Sequence, residues 1–269
     1  MNRNTLVGLA LIVATAGMTG CDAVTGTAGG SPVGVGGISA GRKGTAYTTM
    51  PQLAFYRVAS ATFISAAGVK DTCFNTTYSS TTSGGQSTAS AVNAGAFVSL
   101  RLGTRTDTLT RTGGTLDATY RSTLAAGIPF TPGDSLVVTI PGDRTGFPAS
   151  TFRGKTAEPF TMGQLVIPPT GSPINVTWTP ASDLNAAMYV TFRYTSSTST
   201  ATAFNRQIAC SFVDDGTGTI SAAIAADWIA SSNHDMIAQR IRTILTQIDV
   251  PLSYFNFVSA FDWPTPITP

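Results

Sequence analysis

Ala96, Val98, Leu100 and Leu102 alternate with Phe97, Ser99 and Arg101. This period of two predicts a strand with one face buried. Met188, Val190, Phe192 and Tyr194 repeat the pattern against Tyr189, Thr191 and Arg193. Ile174, Val176 and Trp178 alternate with Asn175 and Thr177 until Pro180 closes the run. Ile208, Cys210 and Phe212 form another inward face, stopped by the turn residues Asp214-Asp215-Gly216. Residues 135–140 make a short apolar strand ending at Pro141-Gly142, and residues 106–111 and 116–121 flank Gly113-Gly114 as a hairpin. Short alternating segments separated by Gly, Pro, Asp and Ser predict an all-β chain, an antiparallel β-sandwich of one or two domains.

Two stretches need a separate argument. Ile220, Ile224 and Trp228 fall on one helical face and predict a short helix near 220–230. Ile237, Ile241, Ile244, Leu245 and Ile248 also fit a helix, while Arg240, Arg242, Ile244, Thr246 and Ile248 fit a strand. The β-branched content favours the strand, and residues 252–263 offer an antiparallel partner. In that last run Phe255, Phe257, Phe261 and Trp263 share one parity, and Leu252, Tyr254 and Val258 the other. Two apolar parities predict a strand buried on both faces. The competing reading exposes one aromatic row, which would stack on sugar rings; Tyr189, Tyr194, Tyr254, Phe255, Phe257 and Trp263 are its candidate ligand-binding residues.

Composition narrows the class. Of 269 residues only 11% are charged and the formal net charge is +2. Ser and Thr make up about a quarter of the chain, whereas Lys occurs three times and Glu once, as Glu158. Long exposed helices and coiled coils are therefore excluded, and no nucleic-acid partner is expected from so weak a charge. Arg101, Arg105, Arg111 and Arg121 are candidates for a basic patch, but Asp107 and Asp117 interleave with them, so a charge-balanced sheet surface is the expectation.

At the N-terminus Arg3 precedes an apolar run over residues 6–16. That run is too short to span a bilayer, which takes about 20 residues, but it has the length of a secretory signal core. Met18-Thr19-Gly20-Cys21 follows. Small residues before a Cys at this distance resemble the lipobox of bacterial lipoproteins. The resemblance covers residues 1–21 and implies cleavage before Cys21, acylation of Cys21, and a cell-envelope location, periplasmic or surface-exposed. Residues 22–47 are rich in Gly, Ser and Thr without apolar periodicity and read as a flexible tether. The expected organisation is a signal peptide over 1–20, a tether over 21–47, and β-sandwich units over 48–167 and 168–269, divided near Ile167-Pro168-Pro169-Thr170-Gly171. The second unit, with Trp178 and Cys210 on strands, resembles immunoglobulin and fibronectin type III domains in pattern alone, which implies no function.

With Cys21 acylated, Cys73 and Cys210 remain as an even pair in an oxidising compartment, and a disulfide between them is predicted; two buried free thiols are the alternative. It would tie the two halves of the chain together. No metal set is expected.

Other candidate chemistry is thin. Gly37-Ile38-Ser39-Ala40-Gly41 matches the string of a serine nucleophile, but the tether provides neither the strand before it nor the helix after it. The sole His, His234, lies in Ser231-Ser232-Asn233-His234-Asp235, read as an exposed loop. Asp214-Asp215-Gly216 could offer oxygens to Ca²⁺, yet lacks the spacing of a calcium loop. No cofactor is expected. The sequence points to a membrane-anchored envelope lipoprotein, not an enzyme, with a binding or structural role and a protein partner, for which a peripheral subunit of a membrane complex is one form. A glycan-binding module and, far behind it, a serine hydrolase are the alternatives.

Overall fold

The computed structural model describes residues 31–43, 46–58, 71–78, 90–112, 119–182, 186–196, 203–248 and 253–263. In chain order the elements are β1 (Ser31–Ser39), β2 (Gly41–Lys43), β3 (Ala46–Thr49), β4 (Gln52–Val58), β5 (Thr72–Thr77), β6 (Ser90–Ala91), β7 (Phe97–Leu102), β8 (Arg105–Thr112) and β9 (Thr119–Arg121). There follow β10 (Ile128–Phe130), β11 (Ser135–Ile140), β12 (Ser150–Lys155), β13 (Ile174–Thr177), β14 (Ala186–Tyr194), β15 (Arg206–Val213) and β16 (Thr217–Ile220). The helix α1 (Ala222–Ala230), β17 (His234–Ile248) and β18 (Ser253–Asp262) complete the chain. The all-β reading holds, the short helix falls where expected, and residues 237–248 are strand.

Among the described residues one large sheet runs β12-β11-β7-β8-β9-β4-β1-β18-β17-β14-β15-β5, with β6 beside β4. Its neighbours are antiparallel except β1 and β18, which run parallel from Val33↔Tyr254 to Ser39↔Ala260. β8 and β9 pair antiparallel as expected, but the register, with Arg111 opposite Tyr120 and Thr112 opposite Thr119, is not centred on Gly113-Gly114, and residues 113–118 between the strands lie outside the described residues.

The sheet is continuous, but it encloses two cores. Leu53, Phe55, Val98, Leu100, Leu109, Tyr120, Val138, Phe147 and Phe152 pack with Ile38, Phe255 and Phe257 in the first. Phe152 of β12 stacks on Phe255 of β18 at 3.9 Å, so this part of the sheet curls back on itself. The second core lies on the same face of β17, β14 and β15, where Met188, Val190, Phe192, Ile208 and Phe212 meet Trp178, Ile220, Trp228, Phe160 and Met162. The β13–β16 pair, α1 and the segment around residues 157–165 supply that covering layer.

Two expectations about organisation are overturned. Residues 31–39 are not tether: they form β1, at the centre of the sheet between β4 and β18. The glycines that made the segment resemble a linker are required by packing. A Cβ on Gly34 would lie 2.8 Å from both the Phe55 and Phe255 rings, and one on Gly36 would lie 2.7 Å from Leu53. Such distances are repulsive, so only a bare backbone lets these side chains close over the strand. Nor does the chain divide near 167–168. β18 places Phe255 and Phe257 in one core and Phe261 in the other, and β5 from the N-terminal half pairs with β15. Pro168-Pro169-Thr170-Gly171 is a turn instead, with Ser172 N–H donating to the Pro169 carbonyl at 3.1 Å and Gly171 at φ +89°.

Replacing Gly34 with Val is expected to lower the free energy of unfolding by about 3 kcal/mol, the upper part of the usual range for overpacking. Gly41→Ala, whose Cβ would meet its nearest neighbour, the Thr48 carbonyl oxygen, at 3.4 Å, should cost far less. Urea denaturation of both variants checks the difference.

Candidate functional site

The polar chemistry of the described residues is concentrated on β17 and the segments that cover it. Met236, Ala238, Arg240 and Arg242 share the core-facing parity of this strand, so two arginines enter an apolar interior side by side. The Arg240 side chain is 1% exposed and that of its partner Asp214 is fully buried. Arg240 donates from Nε to Asp214 Oδ2 at 2.6 Å and from Nη2 to Oδ1 at 3.0 Å. Its Nη1 donates to the Pro159 carbonyl at 2.9 Å and to that of Glu158 at 3.4 Å, and its Nη2 also to that of Thr179. The five N–H groups of the guanidinium thus all find acceptors. Trp178 Nε1 donates to Asp214 Oδ1 at 2.7 Å, and the Phe160 ring lies 5.2 Å from the Arg240 cation.

Arg242, two residues on, donates to Glu158 Oε2 from Nε at 2.9 Å and from Nη2 at 2.6 Å. The Ser182 N–H donates to Glu158 Oε1 at 2.8 Å. Burial alone would raise the Glu158 pKa, but the Ser182 N–H and the Arg242 guanidinium outweigh it and hold the carboxyl below its ordinary value. A third pair, Arg193 with Asp235, sits on the opposite face of β14; Nε donates to Oδ1 at 2.8 Å, and the Tyr78 and Phe204 rings flank the guanidinium at 5.7 and 5.0 Å. The aspartate bond raises the pKa of Arg193 further.

The Arg240 and Arg242 pairs fasten covering segments to the sheet, whereas Arg193 and Asp235 tie β14 to its neighbour β17. Through its carbonyl contacts Arg240 holds residues 158–159 and 179, and through Asp214 it holds the turn after β15. Both oxygens of each carboxylate accept hydrogen bonds, an arrangement that suits a scaffold.

Beside Arg242 a cleft of about 340 Å³ lies where β12 crosses β17, lined by Arg153, Gly154, Lys155, Arg242, Thr243, Ile244 and Leu245. A Cβ on Gly154 would lie 2.7 Å from Ile244 Cδ1, so glycine allows this close crossing. Arg153 and Lys155 stand exposed at the rim.

The residues singled out by sequence are dispersed. Cys73 and Cys210 form the predicted disulfide, across the register of β5 and β15. It joins two neighbouring strands of one sheet, not two separate units. Cys21 lies outside the described residues. Phe255 and Phe257 are fully buried and Tyr194 is 2% exposed, all three within the cores. Tyr189 and Trp263 are half-buried, the latter against Phe160 at 5.6 Å; the side chain of Tyr254 lies outside the described residues. Among the described side chains these rings form no exposed aromatic row, since Phe255, Phe257 and Tyr194 are buried in the cores and Tyr189 and Trp263 are half-buried.

Ser39 ends β1 and donates to Asp262 Oδ2 at 2.8 Å; Gln239 Nε2 donates to Oδ1 of the same carboxylate. No helix follows Ser39. His234 is five positions before Gln239 on β17, about 16 Å away along an extended strand. It does not lie in an exposed loop: it opens β17, half-buried, with its ring 4.4 Å from Trp228 and Nδ1 against the Ser231 carbonyl. Asp214 is turned inward to Arg240, and Asp215 accepts the Thr217 N–H at 3.1 Å, which makes the predicted turn. Arg101 and Arg121 lie outward, opposite in parity to Leu100 and Tyr120, whereas Arg105 and Arg111 share the parity of buried Leu109, so the four arginines do not form one patch.

The buried arginine network was missed at the sequence level. Its signal was present: two arginines two apart, on the apolar parity of a strand, cannot be buried without partners. No protein-family model matches this chain, and no curated protein matches it either.

Asp214→Asn is expected to destabilise the protein by about 3–5 kcal/mol, since it strands the buried Arg240 charge. Arg240→Met added to Asp214→Asn should restore a large part of that loss, as measured by chemical denaturation. Because the Glu158 carboxyl is depressed, its stabilisation is complete above the ordinary value of 4.5 and is lost as pH falls through the lower native value. Melting temperatures followed from pH 7 to pH 2.5 should therefore show a shallower acid limb for Glu158→Gln than for the parent.

Proposed function

We propose that this chain is a lipid-anchored protein of the bacterial cell envelope whose β body has a structural or binding role, not a catalytic one. The observation that carries the reading is the use made of the reactive side chains. Asp214, Glu158, Asp235 and Ser39 are each committed to a contact that fastens one segment to another, and His234 is held locally against the Ser231 carbonyl. Such side chains hold a rigid platform. The Cys73–Cys210 disulfide supports the export half of the reading, since such bonds persist in oxidising compartments.

With β1 beginning at Ser31, about nine residues separate the body from Cys21. Fully extended they reach about 30 Å. An acylated Cys21 would thus hold the body close against the bilayer, where its effective concentration towards a membrane partner is high. The envelope partner expected from the sequence would be met at this short range.

Labelled palmitate should be incorporated into the expressed protein and lost in Cys21→Ala, with the variant released from the membrane fraction. An unacylated mature chain would remove the anchor from this reading.

A further inference from the structure

We propose that β1 is an exchangeable strand, and that residues 31–39 of a second copy of this chain can occupy the groove between β4 and β18. The proposal rests on strand geometry, and it goes beyond the anchored reading without depending on it.

β1 is held by main-chain pairing on both sides. Residues 31–37 pair with β4 from Ser31↔Val58 to Gly37↔Gln52, and residues 33–39 pair with β18 from Val33↔Tyr254 to Ser39↔Ala260. Two of its side chains, Val33 and Ile38, are buried, Gly34 and Gly36 contribute none, and Val35 and Ser39 are half-buried, so the paired backbone makes most of its contacts. A strand bound mainly through its backbone is the kind that inserts as a separate ligand.

The strand can leave without threading the chain. β2 stays on the body through β3, which pairs with β10. The pivot is Ala40, whose N–H donates to the Ala260 carbonyl at 3.0 Å. On departure two long edges would open, β4 and β18, each backed by phenylalanines of the first core. Such edges pair with whatever strand fits.

What fits is narrowly specified. The occupant must run parallel to β18 and present glycine against Phe55 and Phe255, and glycine again two residues on against Leu53. A second copy carries that pattern with an equal set of hydrogen bonds, including the terminal Ser39–Asp262 contact. Exchange between identical copies makes the same contacts as the closed chain, which is why such swapping is a low-cost route to assembly.

The register provides the test. Val35 lies opposite Ala54, and Val33 opposite Tyr56. Full-length chains carrying Val35→Cys and Ala54→Cys singly, with different epitope tags, are co-expressed and resolved without reductant. Exchange predicts a disulfide-linked heterodimer at least tenfold above either variant alone. Val33→Cys with Tyr56→Cys should link as well, which covers a failure of the first pair to fold. The mismatched pair Val35→Cys with Tyr56→Cys should not. Absence of heterodimer from both matched pairs, or linkage indifferent to register, overturns the proposal, provided a single chain carrying Val35→Cys and Ala54→Cys closes its internal disulfide. Palmitate labelling reports on the anchor separately, so the two readings fail independently.

Discussion

The fold depends on a close approach at a bare stretch of backbone. Gly34 lets Phe55 of β4 and Phe255 of β18 close in from the two flanking strands, and Gly36 gives Leu53 the same access. Those rings reach Tyr120, Phe147 and Phe152, so the aromatic centre of the first core is organised around the glycines. The same strand carries the backbone ladder joining β4 to β18. Without β1 the sheet would fall into two pieces, β12 to β4 and β18 to β5, each with an open edge through its apolar layer.

The second core is closed in a different manner. Its inner wall is a regular alternating sheet, but its outer layer contains long irregular connections whose carbonyls need partners. Arg240 meets that need from within: one guanidinium satisfies the carbonyls of residues 158, 159 and 179 and the carboxylate of Asp214. A buried ion pair of this type adds less to net stability than its geometry suggests, because both charges were taken from water. What its donors do is tie three carbonyls and one carboxylate of the cover to β17. Trp178 donates to the same Asp214 carboxylate, and the Phe160 ring lies against the guanidinium.

The elements with strict alternation were legible. β7, β11, β13, β14 and β15 fall on the predicted runs, and the parity that is apolar in sequence is the parity that is buried. Residues 237–248 resolved to strand, for which the waiting partner at 252–263 was the better guide than the helical spacing of isoleucines. β1 was illegible because its glycines were read by composition, and composition cannot distinguish a linker from a strand that two phenylalanines must cover. The extent of the sheet was illegible for a related reason. Pairings such as β1 with β18 and β5 with β15 join segments far apart in the chain, and no local pattern encodes them. The disulfide followed from cysteine parity and the expected compartment, although its place within one sheet did not. At the candidate site Arg240 and Arg242 were visible as strand residues, but their partners come from Glu158 and Asp214, in unrelated segments.

The parallel pairing of β1 with β18 has a kinetic consequence. Val33 and Tyr254 are register partners separated by about 220 residues, so the first of the described strands is completed by the last of them. Contacts of such long range delay folding, since the chain entropy is lost before the contact rewards it. The interior of this sheet therefore cannot close on a partially synthesised chain.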